Sequence, residues 1–258
     1  MPQWNCACRN CRDARAGKIP QLTQSSIVIS ANAASWYLIN ASPDLPAQLE
    51  NCPQLRPRSQ RESRFAAVFL TNSDIDHSLG LLLLRQQEQP LVVYAPRAIR
   101  DDLRWVDRLL SRFCQIEWRD GPGRIERLEV QRIDLERSVA WFFRDQQTSK
   151  TVLLAPAVHA ISLELQEAMQ RSDAIFFDGT FWSDDELKRF RVNARTAGEM
   201  GHLPVEQSLA QLSDAPTQRK IYIHINNTNP ILQPHSPERK QVEGAGISVG
   251  FDGMEFEL

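Results

Sequence analysis

Three cysteines within the first eleven residues, Cys6, Cys8 and Cys11, form a C-x-C-x-x-C run. That spacing sets three thiols on one tight loop, where they can face a single point. Structural zinc takes four ligands in a tetrahedron, mostly Cys and His. A chain with three ligands in one loop must bring the fourth from elsewhere, so the run demands a long-range contact before any strand or helix is considered. The five cysteines are an odd number, and clustered loop thiols suit a metal better than a disulfide framework. Such a clamp implies a reducing compartment, hence the cytoplasm. Cys52 and Cys114 read as ordinary buried or half-buried thiols.

The 258 residues are 42% hydrophobic and 24% charged, enough for one sizeable core. A net charge of −2 lacks the basic excess of nucleic-acid-binding and anionic-membrane proteins. The longest apolar runs, 66–71 and 81–84, are far short of a membrane span. The start, Met1-Pro2-Gln3-Trp4, has neither the basic nor the apolar region of a secretion signal. Strand-like runs recur at 25–30 and 35–40, which read as a hairpin, and at 66–71, 91–95, 139–143, 151–155, 174–178 and 221–226. The pattern predicts a closing hairpin of 246–251 with 254–258, turning at Asp252-Gly253. Helical periodicity covers 97–110, with Ile99, Leu103, Val106 and Leu110 on one face, and 161–169. Two further helices are expected at 205–212 and 237–243. Strands first, then strands mixed with helices, predict one sheet-rich α/β domain over residues 1–258 with helices outside.

After the apolar run 66–71 comes Asn72-Ser73-Asp74-Ile75-Asp76-His77. Strand ends of α/β sheets are where sites are usually built, and carboxylate with imidazole suits Zn, Fe or Mn. The alternative is a polar strand-to-helix turn in which Asp74 or Asp76 is an N-cap. Three other histidines follow apolar runs or precede a helix: His224, leading into Asn226-Asn227-Thr228-Asn229; His202, before the helix at 205–212; and His159. Taken singly, each suits packing or surface better than ligation. His235, between Pro234 and Ser236, reads as surface.

The segments PQWNCACRNC, INASPDLPAQLE, LTNSDIDHSLGLLLLR, FFDGTFWSDDE, GEMGHLP, IYIHINNTNPIL, SPER and DGMEFEL occur in that order. Together they resemble the coenzyme PQQ synthesis protein B family, over nearly the whole chain. The resemblance implies a metallo-β-lactamase-like αββα four-layer sandwich with its metal site at one end. Family members begin with a strand and a glycine-rich turn before PQWNC, so a chain starting at Met1-Pro2 is expected to lack that first strand. The fold's usual H-x-H-x-D-H signature falls on Asn72 to His77, where Asn72 and Asp74 replace the first two histidines. Ala155 stands near where a bridging aspartate is expected. A binuclear zinc hydrolase needs more ligands than this to hold and activate a bridging hydroxide.

His224 matches the last metal-binding histidine of the fold. With Asp76 and His77 it makes two imidazoles and one carboxylate, the count of the facial triad of non-haem Fe(II) oxygenases. The resemblance therefore implies an active-site Fe2+ and hydroxylation of the tyrosine ring in the cross-linked Glu-Tyr precursor of pyrroloquinoline quinone (PQQ), with O2 as co-substrate. His202 would move a proton or orient substrate. Asp178 would fix a ligand imidazole or bind metal itself. The alternative from the same resemblance is a non-catalytic carrier that helps transport PQQ or its precursor to the periplasm. For the cysteine clamp the resemblance implies a structural Zn2+ whose fourth ligand is Asn227, three residues after His224, although an amide oxygen is a weaker zinc ligand than thiolate or imidazole.

Overall fold

The computed structural model describes residues 1–60, 62–86, 88–121, 123–190 and 194–258. The chain forms two compact units: residues 24–132 with 145–148, and residues 1–23 with 133–144 and 149–258.

The unit of residues 24–132 is built on a five-stranded sheet. Its strands are β1 (Ile27–Ile29), β2 (Trp36–Ile39), β3 (Phe65–Phe69), β4 (Leu91–Tyr94) and β5 (Ile116–Arg119), in spatial order β1-β2-β3-β4-β5. β1 and β2 form the expected antiparallel hairpin, pairing Ile27 with Ile39 and Ile29 with Tyr37. Its turn is held by Asn32, whose side-chain oxygen accepts from the amides of Ala34 and Ser35, the local bonding that makes Asn a turn former. The other pairs are parallel. Ala67, Val68 and Phe69 are all buried, so the end of β3 is covered on both faces, as its unbroken apolar run implies. Phe69 stacks on Tyr94 at 4.8 Å. A short hairpin of β6 (Gly123–Ile125) and β7 (Leu128–Asp134) follows; β5, β6 and β7 carry weak alternation that the apolar-run reading passes over.

The other unit contains β8 (Val139–Asp145, to Arg144), β9 (Thr151–Ala155), β10 (Ala174–Asp178), β11 (Arg219–Ile223) and β12 (Ser248–Val249), neighbouring in the order β12-β11-β10-β9-β8. β8 and β9 are antiparallel, and the remaining pairs are parallel. Parallel neighbours need crossover connections. Helices Leu163–Gln170, Val205–Asp214 and Pro237–Gly244 lie in the three connections, close to the expected helix positions. Ser162 and Ser236 cap the first and last by accepting from the amides of Leu165 and Arg239, the bonding that favours Ser at such positions. The core joins Leu153, Leu165, Phe177, Leu212, Tyr222 and Val249. Each fully buried large apolar side chain contributes about 1.5–3 kcal/mol.

Three expectations need correction. The helix at 97–110 is two helices, Arg97–Asp102 and Arg104–Leu110, broken at Leu103 with φ −95° and ψ 15°; the amide of Leu103 is shared between the carbonyls of Ile99 and Arg100, and the apolar face survives the break. The strand expected at 221–226 ends at Ile223, because His224 takes φ +57°, a left-handed conformation no strand accommodates. The closing hairpin is absent among the described residues. β12 pairs in parallel with β11, and the tail returns to stack Phe256 on Phe176 at 5.8 Å, with the Arg219 guanidinium 4.5 Å from the Phe256 ring centroid. Apolar packing takes the place of strand pairing there. A short helix, Arg9–Arg15, which the cysteine spacing alone does not reveal, carries Cys11.

Candidate metal centre

The cysteine loop is a local construction. Cys8 sits at the N-cap of helix Arg9–Arg15, and the first helical turn brings Cys11 beneath it. The amide of Cys8 donates to Cys6 Sγ at 3.4 Å and the amide of Gln3 to Cys11 Sγ at 3.3 Å. The three sulfurs lie within 4.8 Å of one another. Burial pushes the Cys11 thiol up, and the neighbouring sulfurs add to it. Burial also opposes ionisation of Cys8, but hydrogen bonds from the Cys11 backbone and the Asn227 amide outweigh it and hold that thiol below its ordinary range. Cys8 is thus more ready than Cys11 to become a thiolate.

Asn227 stands against the three sulfurs. Its side-chain Nδ2 lies 3.3 Å from Cys6 Sγ and 3.4 Å from the sulfurs of Cys8 and Cys11. In a tetrahedral zinc site with bonds of about 2.3 Å to sulfur and about 2.1 Å to oxygen, ligand atoms are about 3.6 Å apart. The amide head therefore stands where a fourth ligand belongs, and turning it over exchanges Nδ2 for Oδ1. Three thiols and one amide oxygen are a donor set that Zn2+ accepts.

The loop bearing Asn227 is braced from both sides. Asn10 Nδ2 donates to the carbonyls of Asn227 and Asn229 at 3.0 and 2.8 Å. Asn229 Nδ2 donates to Gly179 O at 2.9 Å. Thr228 gives its hydroxyl proton to Glu186 Oε1, and the amide of Trp182 donates to Glu186 Oε2 at 2.6 Å. Glu186 is buried, and burial pushes its carboxyl up to about 7. A Glu in a run of acids reads as surface, so nothing in its local sequence marks this role.

At the end of β10 the chain gathers Asp178, Thr180, His202 and His224. Gly179 makes the turn possible: a Cβ there would fall 2.9 Å from the Cβ of Tyr222 and 3.0 Å from Ile223 O. His224 arrives on the left-handed residue after β11, and His202 just ahead of helix Val205–Asp214. One ligand atom each from Asp178, His202 and His224 falls within 4.8 Å of the others. The two imidazoles stack at 5.4 Å, and Phe181 meets His202 edge-on at 5.8 Å.

Asp178 is wholly buried. Its Oδ2 accepts from the amide of Val158 at 2.8 Å and faces His202 Nδ1 at 2.7 Å, while Oδ1 accepts from the amide and hydroxyl of Thr180 at 3.0 and 2.6 Å. Burial alone would raise its pKa, but His202, His224 and the Thr180 hydroxyl outweigh it and hold the carboxyl below the usual range. Four bonds fill the lone-pair sites of a carboxylate, so this geometry suits an orienting partner of His202 better than a direct ligand. The carboxylate beside His202 and His224 at the end of β10 is Asp178, whereas Ala155 lies buried at the end of β9.

In the other unit, β3 is followed by Thr71 and helix Ile75–Ser78. His77 is fully buried, with Nδ1 3.2 Å from Thr71 Oγ1, and Asp76 Oδ2 lies 3.9 Å from His77 Nε2. Asp74 occupies the N-cap position but makes no side-chain capping bond; Asn72 Nδ2 donates to its Oδ2 at 2.8 Å instead. Gly80 is required here, since a Cβ would fall 2.3 Å from Ser42 O. His159 lies outside the cluster at the end of β10, paired with Glu136 at 3.2 Å, and His235 is exposed as expected. Thr71, Thr180 and Glu186 are the residues that sequence reasoning missed. The only available signal was position: each threonine stands two residues past the last residue of an apolar strand.

Residues 35–225 match the family model of the beta-lactamase superfamily domain. Coenzyme PQQ synthesis protein B of Nitrosococcus oceani is 36% identical, over 100% of this chain and 96% of the relative. That of Ectopseudomonas mendocina is 38% identical over the same shares. Among solved structures, the Zn2+-bound PqqB from Methylobacterium extorquens superposes with a TM-score of 0.89 at 34% identity, covering 100% of this chain and 95% of the other. A diphosphatase of the PhnP family shares the fold, with a TM-score of 0.72 at 16% identity over 98% and 90% of the two chains.

Proposed function

This chain belongs to the coenzyme PQQ synthesis protein B family and has the metallo-β-lactamase fold, and on that premise we propose that its part in PQQ biosynthesis is an iron- and O2-dependent hydroxylation of the tyrosine ring of the cross-linked Glu-Tyr precursor. The family match runs from residue 35 to 225, through both units, which supports reading residues 1–258 as one domain. In this reading Asp76, His77 and His224 hold Fe2+, and Cys6, Cys8, Cys11 and Asn227 hold a structural Zn2+. The thiols are free of disulfides, which supports a cytoplasmic protein. No helix among the described residues is long and apolar enough to cross a membrane.

The single observation that carries the reading is the buried Asp178–His202 pair at 2.7 Å, a carboxylate and imidazole bound as an orienter and a proton carrier. Iron with two imidazoles and a carboxylate supplies O2 activation when bound. The chain's own residues do the rest. Asp178, kept ionised, holds His202 by Nδ1, and His202 Nε2 exchanges the phenol proton of the substrate. Asn72 and Asp74, in the places of two hydrolase histidines, bind each other, which speaks against a binuclear hydrolase.

The test is to load the metal-free protein with Fe(II) without oxygen, then add the diamino-acid precursor, O2 and a two-electron reductant such as ascorbate, which carries the second oxygen atom of O2 to water. A gain of ~16 Da, one oxygen atom in an oxygenase reaction, is expected, with one Zn and one Fe per chain by metal analysis. Full activity in His77→Ala and His224→Ala would overturn the ligand assignment. Tight binding of PQQ without iron, and no turnover with it, would favour the carrier.

A further inference from the structure

The hydroxyl of Thr180 meets three groups at once: Asp178 Oδ1 at 2.6 Å, His224 Nδ1 at 2.7 Å and His202 Nδ1 at 3.1 Å. A threonine hydroxyl has one proton to give and two lone pairs to receive with, and an ionised carboxylate can only accept. The Thr180 proton therefore goes to Asp178 Oδ1, leaving the oxygen as an acceptor. His224 Nδ1, 2.7 Å from that acceptor, must then carry a proton of its own. The second carboxylate oxygen acts likewise on His202, accepting a hydrogen bond from its Nδ1–H at 2.7 Å.

We propose that Thr180 is a positioning residue whose hydroxyl, aimed by Asp178, holds the proton of His224 on Nδ1 and reserves Nε2 for a metal ion. One carboxylate and one hydroxyl thus set both imidazoles in the same sense. A ligand histidine is commonly fixed by what its other nitrogen bonds. Here the fixing group is a neutral hydroxyl whose direction is imposed by a buried charge. Its placement does not depend on the imidazoles, because the Thr180 backbone is tied independently. Its amide donates to Asp178 Oδ1 at 3.0 Å, and its carbonyl accepts from the Asn226 amide at 3.0 Å and from Asn229 Nδ2 at 3.3 Å. Those last bonds come from the loop that reaches the cysteine clamp, so the same loop steadies Thr180 and presents Asn227. Valine keeps the shape and the branched Cβ of threonine but offers no acceptor. In Thr180→Val the His224 proton is no longer held at Nδ1 and can move to Nε2, where it blocks ligation.

The experiment reads the imidazole nitrogen shifts of histidine-labelled, metal-free full-length protein by NMR at neutral pH. Wild type and Thr180→Ser should show His224 protonated at Nδ1, and Thr180→Val should lose that pattern. Titration with Fe(II) should show the His224-bearing site weakened by about 10–100-fold in Thr180→Val and restored in Thr180→Ser. Zinc taken up at the cysteine clamp when the same samples are reloaded, unchanged in all three, controls for folding. Retention of Nδ1 protonation in Thr180→Val, or the same shift in Thr180→Ser, would overturn the proposal. Should Thr180→Val not fold, Thr180→Ala is judged by the same spectrum. Only the titration rests on His224 being a ligand: a wild type that binds no metal there refutes the functional reading, while the spectrum still decides the role of Thr180.

Discussion

The ends of β3 and β10 share a plan and differ in what organises it. Each places a threonine two residues past the strand, and each hydroxyl meets a histidine Nδ1, Thr71 with His77 at 3.2 Å and Thr180 with His224 at 2.7 Å. At β10 the organiser is the buried Asp178 carboxylate. At β3 it is the Asn40 amide, which donates to Thr71 Oγ1 at 2.9 Å and accepts from the Thr71 amide at 2.9 Å. A carboxylate can only accept, so it dictates where a hydroxyl proton points. An amide both gives and accepts and dictates less. The carboxylate of Asp76, by contrast, is 39% exposed, where water screens it. Strand β10 therefore ends in a fixed proton arrangement, and strand β3 ends in a buried imidazole beside solvated acids.

The comparison can be broken most sharply at Asp178. Asp178→Asn should lower the rate of precursor oxidation by about 10²–10⁴-fold, the range for a lost acid-base partner. Chemical denaturation should show a loss of about 1–3 kcal/mol from mismatched buried bonds. A variant within tenfold of wild type would remove the Asp178–His202 pair from the chemistry. Next in size is the cysteine clamp. Stripping its metal, or Cys11→Ser, should lower the melting temperature, because structural zinc contributes folding energy directly. A loss of roughly 3 kcal/mol corresponds to about 6–12 °C, and an unchanged melting curve would deny the clamp a structural role.

Glu186 gives a smaller, pH-dependent effect. Burial raises its carboxyl from 4.5 to about 7, so the folded protein holds a proton there that the unfolded chain has already released. The stability from that proton is complete below pH 4.5 and is lost as the pH rises through about 7, on the order of 3 kcal/mol in all. Stability curves of Glu186→Gln should lack this slope. Identical slopes in both proteins would place the charge change elsewhere. Smallest is His159→Ala, which removes a contact with the exposed Glu136 and should cost about 0–1 kcal/mol with turnover unchanged. A rate loss there would extend the site beyond the end of β10.

Much of the fold was legible because its cues are local. The runs at 151–155 and 174–178 became β9 and β10 without change of boundary, since an unbroken apolar stretch flanked by turn formers has few other solutions. The cysteine loop was legible too, because eleven residues contain it whole. The misreadings share a cause. Strand 221–226 was cut short by the left-handed His224, and the expected closing hairpin gave way to Phe256 packing on Phe176. In each case a distant partner overrode a local pattern. Glu186 and Thr180 were missed because their roles consist entirely of what they touch.

The sequence by itself determined most of the strands and helices and the residue types that can bind metal, because hydrophobic periodicity and clustered donors act over a few residues, and its ordered segments carried the resemblance to the family. Only the tertiary structure put the Asn227 amide against three sulfurs more than two hundred residues away and the Asp178 carboxylate 2.7 Å from His202 Nδ1. A hydrogen bond is decided by ångströms and angles. Those are set when parallel strands from distant parts of the chain come into register, and no spacing along the chain encodes them.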